Sequence, residues 1–210
     1  METFDLRLKS PFTALLAGPT GSGKTQLIAS LIAKAGDVCD TLPKEIIYCY
    51  GVWQKSFEKI EGVTFHEGML DVKENIPRDG VSRWIIVDDL MDEANGQTDD
   101  LYTKYSHHLN ISVFFIVQNL FKKQLRTMSL NTHYLFLFKN PRDSAFISHL
   151  ARQIYPNKSK FMVESYQHAT QKPHSFLLVD LKQSTDERVR LIGNFNSDND
   201  VKFVYQPNSK

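Results

Sequence analysis

Phe12-Thr-Ala-Leu-Leu-Ala-Gly18-Pro-Thr-Gly-Ser-Gly-Lys24-Thr25-Gln-Leu-Ile-Ala-Ser-Leu-Ile-Ala-Lys34 is the stretch on which the reading of the whole chain turns. Its first part, Phe12 to Ala17, is a short apolar run of the kind that forms a strand buried on both faces. Its last part, Thr25 to Lys34, sets Leu27, Ile28, Leu31 and Ile32 on one stripe of a helix. Between them, Gly18, Pro19, Thr20, Gly21, Ser22, Gly23, Lys24 and Thr25 fit the phosphate-loop pattern G-x-x-x-x-G-K-[ST]. Glycines let such a loop wrap an anion, so that backbone N–H groups and the positive end of the helix point at a β-phosphate. Lys24 is then placed to bridge the β- and γ-phosphates of ATP, and the Thr25 hydroxyl to bind Mg²⁺. A chance match is expected in roughly one chain of this length in a hundred at average residue frequencies. The strand and helix on either side argue against a glycine turn with an incidental lysine.

Outward from this stretch the same texture repeats. Glu45 to Tyr50, Trp84 to Val87, Ile111 to Val117 and Tyr134 to Phe138 read as buried strands. Helix-competent segments lie at Asp100 to Leu109, Leu120 to Met128 and Ser144 to Tyr155, the last closed by Pro156. Strands alternating with helices imply an α/β fold with a mostly parallel sheet covered on both faces. After Pro156, Phe176 to Asp180, Val189 to Ile192 and Val201 to Tyr205 read as short strands of a meander on the sheet edge. At 210 residues we expect a single domain, with residues 1–156 as nucleotide-binding core and 157–210 as a β-rich extension.

Composition narrows the function classes. With 25 Lys+Arg, 24 Asp+Glu and a net charge of +1, the chain is not one that holds polyanions through global charge. The charge is unevenly spread: residues 1–119 balance at −6, 120–160 at +7, and 161–210 at zero. The cationic block reads either as a solvated surface or as a surface for nucleic acid. The apolar runs are far shorter than the roughly 18 residues of a membrane span, and the start of the chain has no signal-like pattern. We therefore expect an intracellular protein without membrane contact. Cys39 and Cys49 have neither zinc-knuckle nor disulfide-framework spacing, and the adjacent His107 and His108 make a poor metal pair on a helix.

A phosphate loop that hydrolyses needs a second anchor for metal. Trp84-Ile-Ile-Val-Asp88-Asp89 ends a buried strand in two carboxylates, at the end where open parallel sheets bind ligands. Asp88 is the candidate Mg²⁺ holder, and Asp89 the candidate to polarise the attacking water. An acid after a strand also caps helices, so the pair gains its meaning from the loop at Gly18 to Thr25. Gln118 ends the strand Ile111 to Val117 and is followed by Asn119. It either caps the next helix or, if its strand lies between those carrying Lys24 and Asp88, reaches the γ-phosphate as a sensor.

GPTGSGKT, WIIVDDL, ISVFFIVQNLF and SLNTHYLFLFKNPRD, in that order, resemble the FtsK/HerA superfamily of ring-forming DNA-translocating ATPases. Within it the chain is most similar to genome-packaging ATPases of poxvirus, adenovirus-like and Polinton or adintovirus elements. Ile47 to Gln54, Phe176 to Asp180, Arg188 and Arg190 fit the same likeness. It implies an ASCE, RecA-like P-loop NTPase fold with the Gln118 strand between the two nucleotide-binding strands. It also implies a ring of five or six copies, and ATP-driven movement of double-stranded DNA into a preformed capsid, with capsid, portal or vertex proteins as partners. The host nucleus, the virus assembly site or the virion would be its location. Asp88, Asp89 and Gln118 take metal, catalytic and sensor roles by this likeness, although many relatives carry Asp-Glu where this chain has Asp-Asp.

A ring motor of this kind uses an arginine donated by a neighbouring subunit. Arg126, in Lys122-Lys-Gln-Leu-Arg126, is the first candidate and Arg142 the second; a surface or capping role competes for each. Lys122 and Lys123 are candidate DNA contacts in the channel. Trp53, Gln54 and Lys55 form either another DNA-facing loop or an interface anchor. Two other functions use the same loop: a small-molecule or nucleotide kinase, and an ATP-gated DNA-binding scaffold or loader with little turnover.

Overall fold

The computed structural model describes residues 3–90, 100–118, 126–142, 144–196 and 201–207. These form a nine-stranded sheet from β1 (Thr13–Ala17), β2 (Glu45–Tyr50), β3 (Thr64–Glu67), β4 (Arg83–Asp88), β5 (Ile111–Val117), β6 (Tyr134–Phe138), β7 (Phe176–Asp180), β8 (Leu191–Gly193) and β9 (Phe203–Tyr205). The order across the sheet is β3-β2-β4-β5-β1-β6-β7-β8-β9. Pairings from β3 to β6 are parallel, and those from β6 to β9 antiparallel.

Every residue of β1, β4, β5 and β6 is buried, as their continuous apolar runs require when both faces are covered. Side chains alternate between two cores, because successive residues of a strand point to opposite faces. Leu15, Ala17, Ile85, Val87, Phe115 and Leu135 enter one core, where Ile147, Ala151, Met162 and Tyr166 of the helices Ser144–Ile154 and Ser159–Ala169 meet them. Ala14, Leu16, Trp84, Ile86, Phe114 and Phe136 enter the other, against Leu27, Ile28 and Leu31 of helix α1 (Lys24–Ala33).

Several expectations from the sequence need correction. The segment 157–210 is not uniformly β-rich, since Ser159–Ala169 is a helix. It buries only Met162, Ser165 and Tyr166, and so lacks the Leu/Ile stripe that marks a core helix in sequence. Val189 belongs to the 3₁₀ turn Glu187–Val189, leaving β8 to start at Leu191. The edge strand β3 is half exposed and shows no apolar run. The segment from residue 100 to 109 is helical as two short pieces, Leu101–Tyr105 and Ser106–His108. Of the helix expected over Leu120 to Met128, residues 120–125 lie outside the described ones, and Arg126–Leu130 is helical.

Candidate functional site

The loop after β1 closes where the sequence places it. Gly18 N–H donates to Val117 O of β5 at 3.3 Å, and Leu27 N–H to Gly23 O at 2.9 Å opens α1. Gly23 has φ of 100° and Gly21 of 77°, a left-handed region that side chains resist. Gly18 is required for a different reason: a Cβ there would lie 2.6 Å from Phe138 Cβ. The first turn of α1 has no side-chain cap and no acidic residue, which leaves its N–H groups facing the cleft for an anion.

Lys24 is buried, and its Nζ donates to Gly18 O at 2.5 Å and Pro19 O at 3.0 Å. Burial lowers its affinity for the proton, while the charges of Asp88 and Asp89 raise it. A desolvated ammonium held, among the described residues, by two carbonyls and near two acids is poised for a stronger anionic partner.

The sheet order brings the acids to the same place. β5 lies between β1 and β4, with Ala17 opposite Val117 and Asp88 opposite Ile116. Gln118, one residue beyond β5, therefore stands between Gly18 and Asp89, and its Nε2 donates to Asp89 Oδ2 at 2.8 Å. Asp89 has a φ of 55°, a left-handed backbone that a non-glycine residue adopts at a cost of about 1 kcal/mol or more. The kink turns its side chain toward Gln118. Asp88 is buried, and Tyr48 Oη donates to its Oδ2 at 2.7 Å. Burial raises the Asp88 carboxyl above its ordinary range; the Tyr48 hydrogen bond and Lys24 draw it down and Asp89 pushes it up. Tyr48 is itself raised, first by burial and then by the Asp88 charge and the hydrogen bond to it.

Thr20, Gly21, Ser22, Gly23, Lys24, Thr25, Asp88, Asp89 and Gln118 thus line one cleft of about 290 Å³, joined by Gln54, Ser56 and His174. Gly18 and Pro19 contribute their carbonyls to Lys24 rather than to the lining. Arg142 is exposed on the turn after β6 and is not among the lining residues; its backbone N–H donates to Asn140 Oδ1 at 3.2 Å. Arg126 begins the helix Arg126–Leu130, but its side chain, like Asn119, Lys122 and Lys123, lies outside the described residues. Trp53 is 48% exposed and packs edge-on against Tyr50, Phe57 and Phe65 at 5.1–5.5 Å between ring centres. Lys55 beside it is exposed, and Gln54 turns to the cleft.

Two participants carry no motif. Tyr48 had one signal, a hydroxyl inside the apolar strand Glu45–Tyr50, which burial obliges to find a partner. His174 had none. It sits in left-handed backbone with φ of 62°, two residues before β7, and its ring approaches the position a Gly23 Cβ would take to 3.2 Å.

No protein-family model matches the sequence, and no curated protein is similar to it at a significant level. Solved structures share the fold. The cytoplasmic domain of the type VII secretion ATPase EccC from Thermomonospora curvata superposes with a TM-score of 0.53 at 13% identity, over 85% of this chain and 26% of that one. The chain thus spans about a quarter of that domain. The genome packaging NTPase B204 from Sulfolobus turreted icosahedral virus 2, in complex with ATPγS, superposes with a TM-score of 0.51 at 15% identity, over 93% of this chain and 97% of that one. The likeness is one of fold, that of P-loop NTPases.

Proposed function

We propose that the chain is a Mg²⁺-dependent ATPase that translocates double-stranded DNA, packaging a viral genome into a capsid. The observation that carries the ATPase reading is the convergence of Lys24, Thr25, Asp88, Asp89 and Gln118 on one cleft, with β5 inserted between β1 and β4.

The donor set fits magnesium. Thr25 and Asp88 offer hard oxygens to the same cleft, Asp88 fixed by the Tyr48 hydroxyl, and among the described residues no group of three His, Cys, Asp or Glu side chains is placed to hold a metal. A site with two protein oxygens and the rest from phosphates and water is how Mg²⁺ is ordinarily bound. When bound, the ion neutralises phosphate charge. The chain's own groups do the remainder. The loop N–H groups hold the β-phosphate, and Lys24 exchanges its carbonyl partners for β- and γ-oxygens. Asp89 and Gln118 orient a water in line with the γ-phosphorus. Its oxygen forms the new P–O bond as the bond to the β–γ bridging oxygen breaks, Asp89 receives the water proton, and Lys24 offsets charge on the departing ADP. Gln118, bonded to Asp89, changes partner when the γ-phosphate leaves.

The DNA role is supported by the cations of residues 120–160: Lys139, Arg142, Arg152 and Lys158 are all exposed, and repeated around a ring they form a surface for phosphates. It is supported also by B204, a genome packaging NTPase of nearly the same length and the same fold. In a ring of five or six copies, Arg126 or Arg142 reaches the neighbour's γ-phosphate, and capsid or portal proteins at the assembly site or in the nucleus are the docking partners. The test is ATP hydrolysis by the purified chain with and without duplex DNA. Turnover stimulated by DNA and lost in Lys24→Ala is expected; no turnover under any oligomerising condition overturns the reading.

A further inference from the structure

The acids and the amide of the phosphate cleft lie to one side of the loop. Asp88, Asp89 and Gln118 line it on the side of β4 and β5. A triphosphate whose γ end lies there must run its remaining half across β1 toward β6 and β7. β7 starts at that same edge, because Phe176 pairs with Phe138 at the C-terminal end of β6. The turn leading into β7 carries His174 over Gly23. His174 also lines a second cavity, of about 620 Å³, with Phe176, Asn194, Asn196, Phe203 and Tyr205. That volume is in the range of small-molecule sites.

The second cavity has the chemistry of a nucleoside site. Phe203 lines it while 47% exposed, an aromatic face on which a base stacks. Among the described residues, Asn196 Oδ1 is buried without a hydrogen-bond partner, an orphan acceptor that needs a donor. Lys172 and Gln171 also line the cavity. Resting on the assignment of the Gly18–Thr25 loop to a nucleoside triphosphate, we propose that this cavity seats the nucleoside. His174 stands at the threshold, Phe203 lies against the base, and Asn196 Oδ1 accepts from a base amino group or a ribose hydroxyl.

Calorimetric titration of the full chain with Mg²⁺ and four non-hydrolysing ligands, ADP, pyrophosphate, IDP and 2′,3′-dideoxy-ADP, tests this. ADP is expected to bind at least about tenfold more tightly than pyrophosphate. Asn196→Ala should weaken ADP about tenfold and Phe203→Ala severalfold, both with pyrophosphate affinity unchanged, which also reports an intact fold. Weak binding of IDP to the wild type identifies the 6-amino group as the donor; weak binding of dideoxy-ADP identifies a ribose hydroxyl. The proposal is overturned if pyrophosphate binds as tightly as ADP, if both variants bind ADP like the wild type, or if IDP and dideoxy-ADP both match ADP. If the wild type binds neither ADP nor pyrophosphate, the phosphate-loop reading fails as well.

Discussion

The wall of the cleft built by β4 and β5 and the wall built by the turn before β7 are opposite in construction. The first consists of strand ends: Asp88 is buried and fixed by Tyr48, and Asp89 is turned by a left-handed backbone onto Gln118. The second consists of a polar turn, an edge hairpin and an exposed phenylalanine, with an acceptor still lacking a partner among the described residues. Chemistry on phosphorus needs groups held to a fraction of an ångström by their supports. A base and a sugar need only shape, stacking and a few donors. Changes in the first wall should therefore appear in turnover and metal dependence, and changes in the second in affinity.

The largest effect that would break this division is at Asp89. Asp89→Asn keeps the size and an acceptor for Gln118 but takes no proton, so turnover should fall by about 10² or more while nucleotide binding persists. Pre-steady-state trapping of unhydrolysed ATP checks it, and turnover within a few-fold of wild type would remove Asp89 from the chemistry.

Tyr48 gives a smaller and more selective effect. Tyr48→Phe deletes the hydroxyl that donates to Asp88 without opening space in the core. The Mg²⁺ concentration for half-maximal nucleotide binding should rise about tenfold, with Mg²⁺-free binding unchanged. An unaltered Mg²⁺ dependence would reduce Tyr48 to a core tyrosine.

The smallest effect is on stability and carries a sign. Burial is the leading cause that lifts the Asp88 carboxyl above its ordinary range. A group whose folded pKa exceeds its unfolded value destabilises the fold increasingly as pH rises between the two, and by the full amount above both. Asp88→Asn is neutral at all pH and still accepts from Tyr48. It should therefore melt higher at pH 7, by about 2–4 °C for each kcal/mol recovered, with the gain shrinking as pH falls through the raised folded value and gone below about pH 4. A lower melting temperature at pH 7 would contradict the electrostatic account, whatever the variant does to catalysis.

The two walls also differ in how far sequence reveals them. Lys24, Thr25, Asp88 and Asp89 were legible because each is tied to a short local context, an apolar strand ending in a turn. The place of Gln118 followed only with the resemblance, since sheet order is not a local property. Tyr48 escaped notice because its partner lies 40 residues away in the chain and meets it only through the pairing of β2 with β4. His174 and Asn196 sit in polar turns whose composition looks like any solvent loop. Their importance comes from left-handed backbone and from a buried acceptor, neither of which has a residue pattern. The helix Ser159–Ala169, which leads into the His174 turn, was hidden for the same reason as its burial is narrow.

The most direct test of the central claim is the structure of the chain with Mg²⁺ and a non-hydrolysable ATP analogue. The account predicts that Lys24 Nζ leaves the carbonyls of Gly18 and Pro19 for the β- and γ-oxygens, with Thr25 and Asp88 at the metal and the γ-phosphate facing Asp89 and Gln118. An analogue bound elsewhere, or a lysine still holding those two carbonyls with the phosphates out of reach, would contradict it.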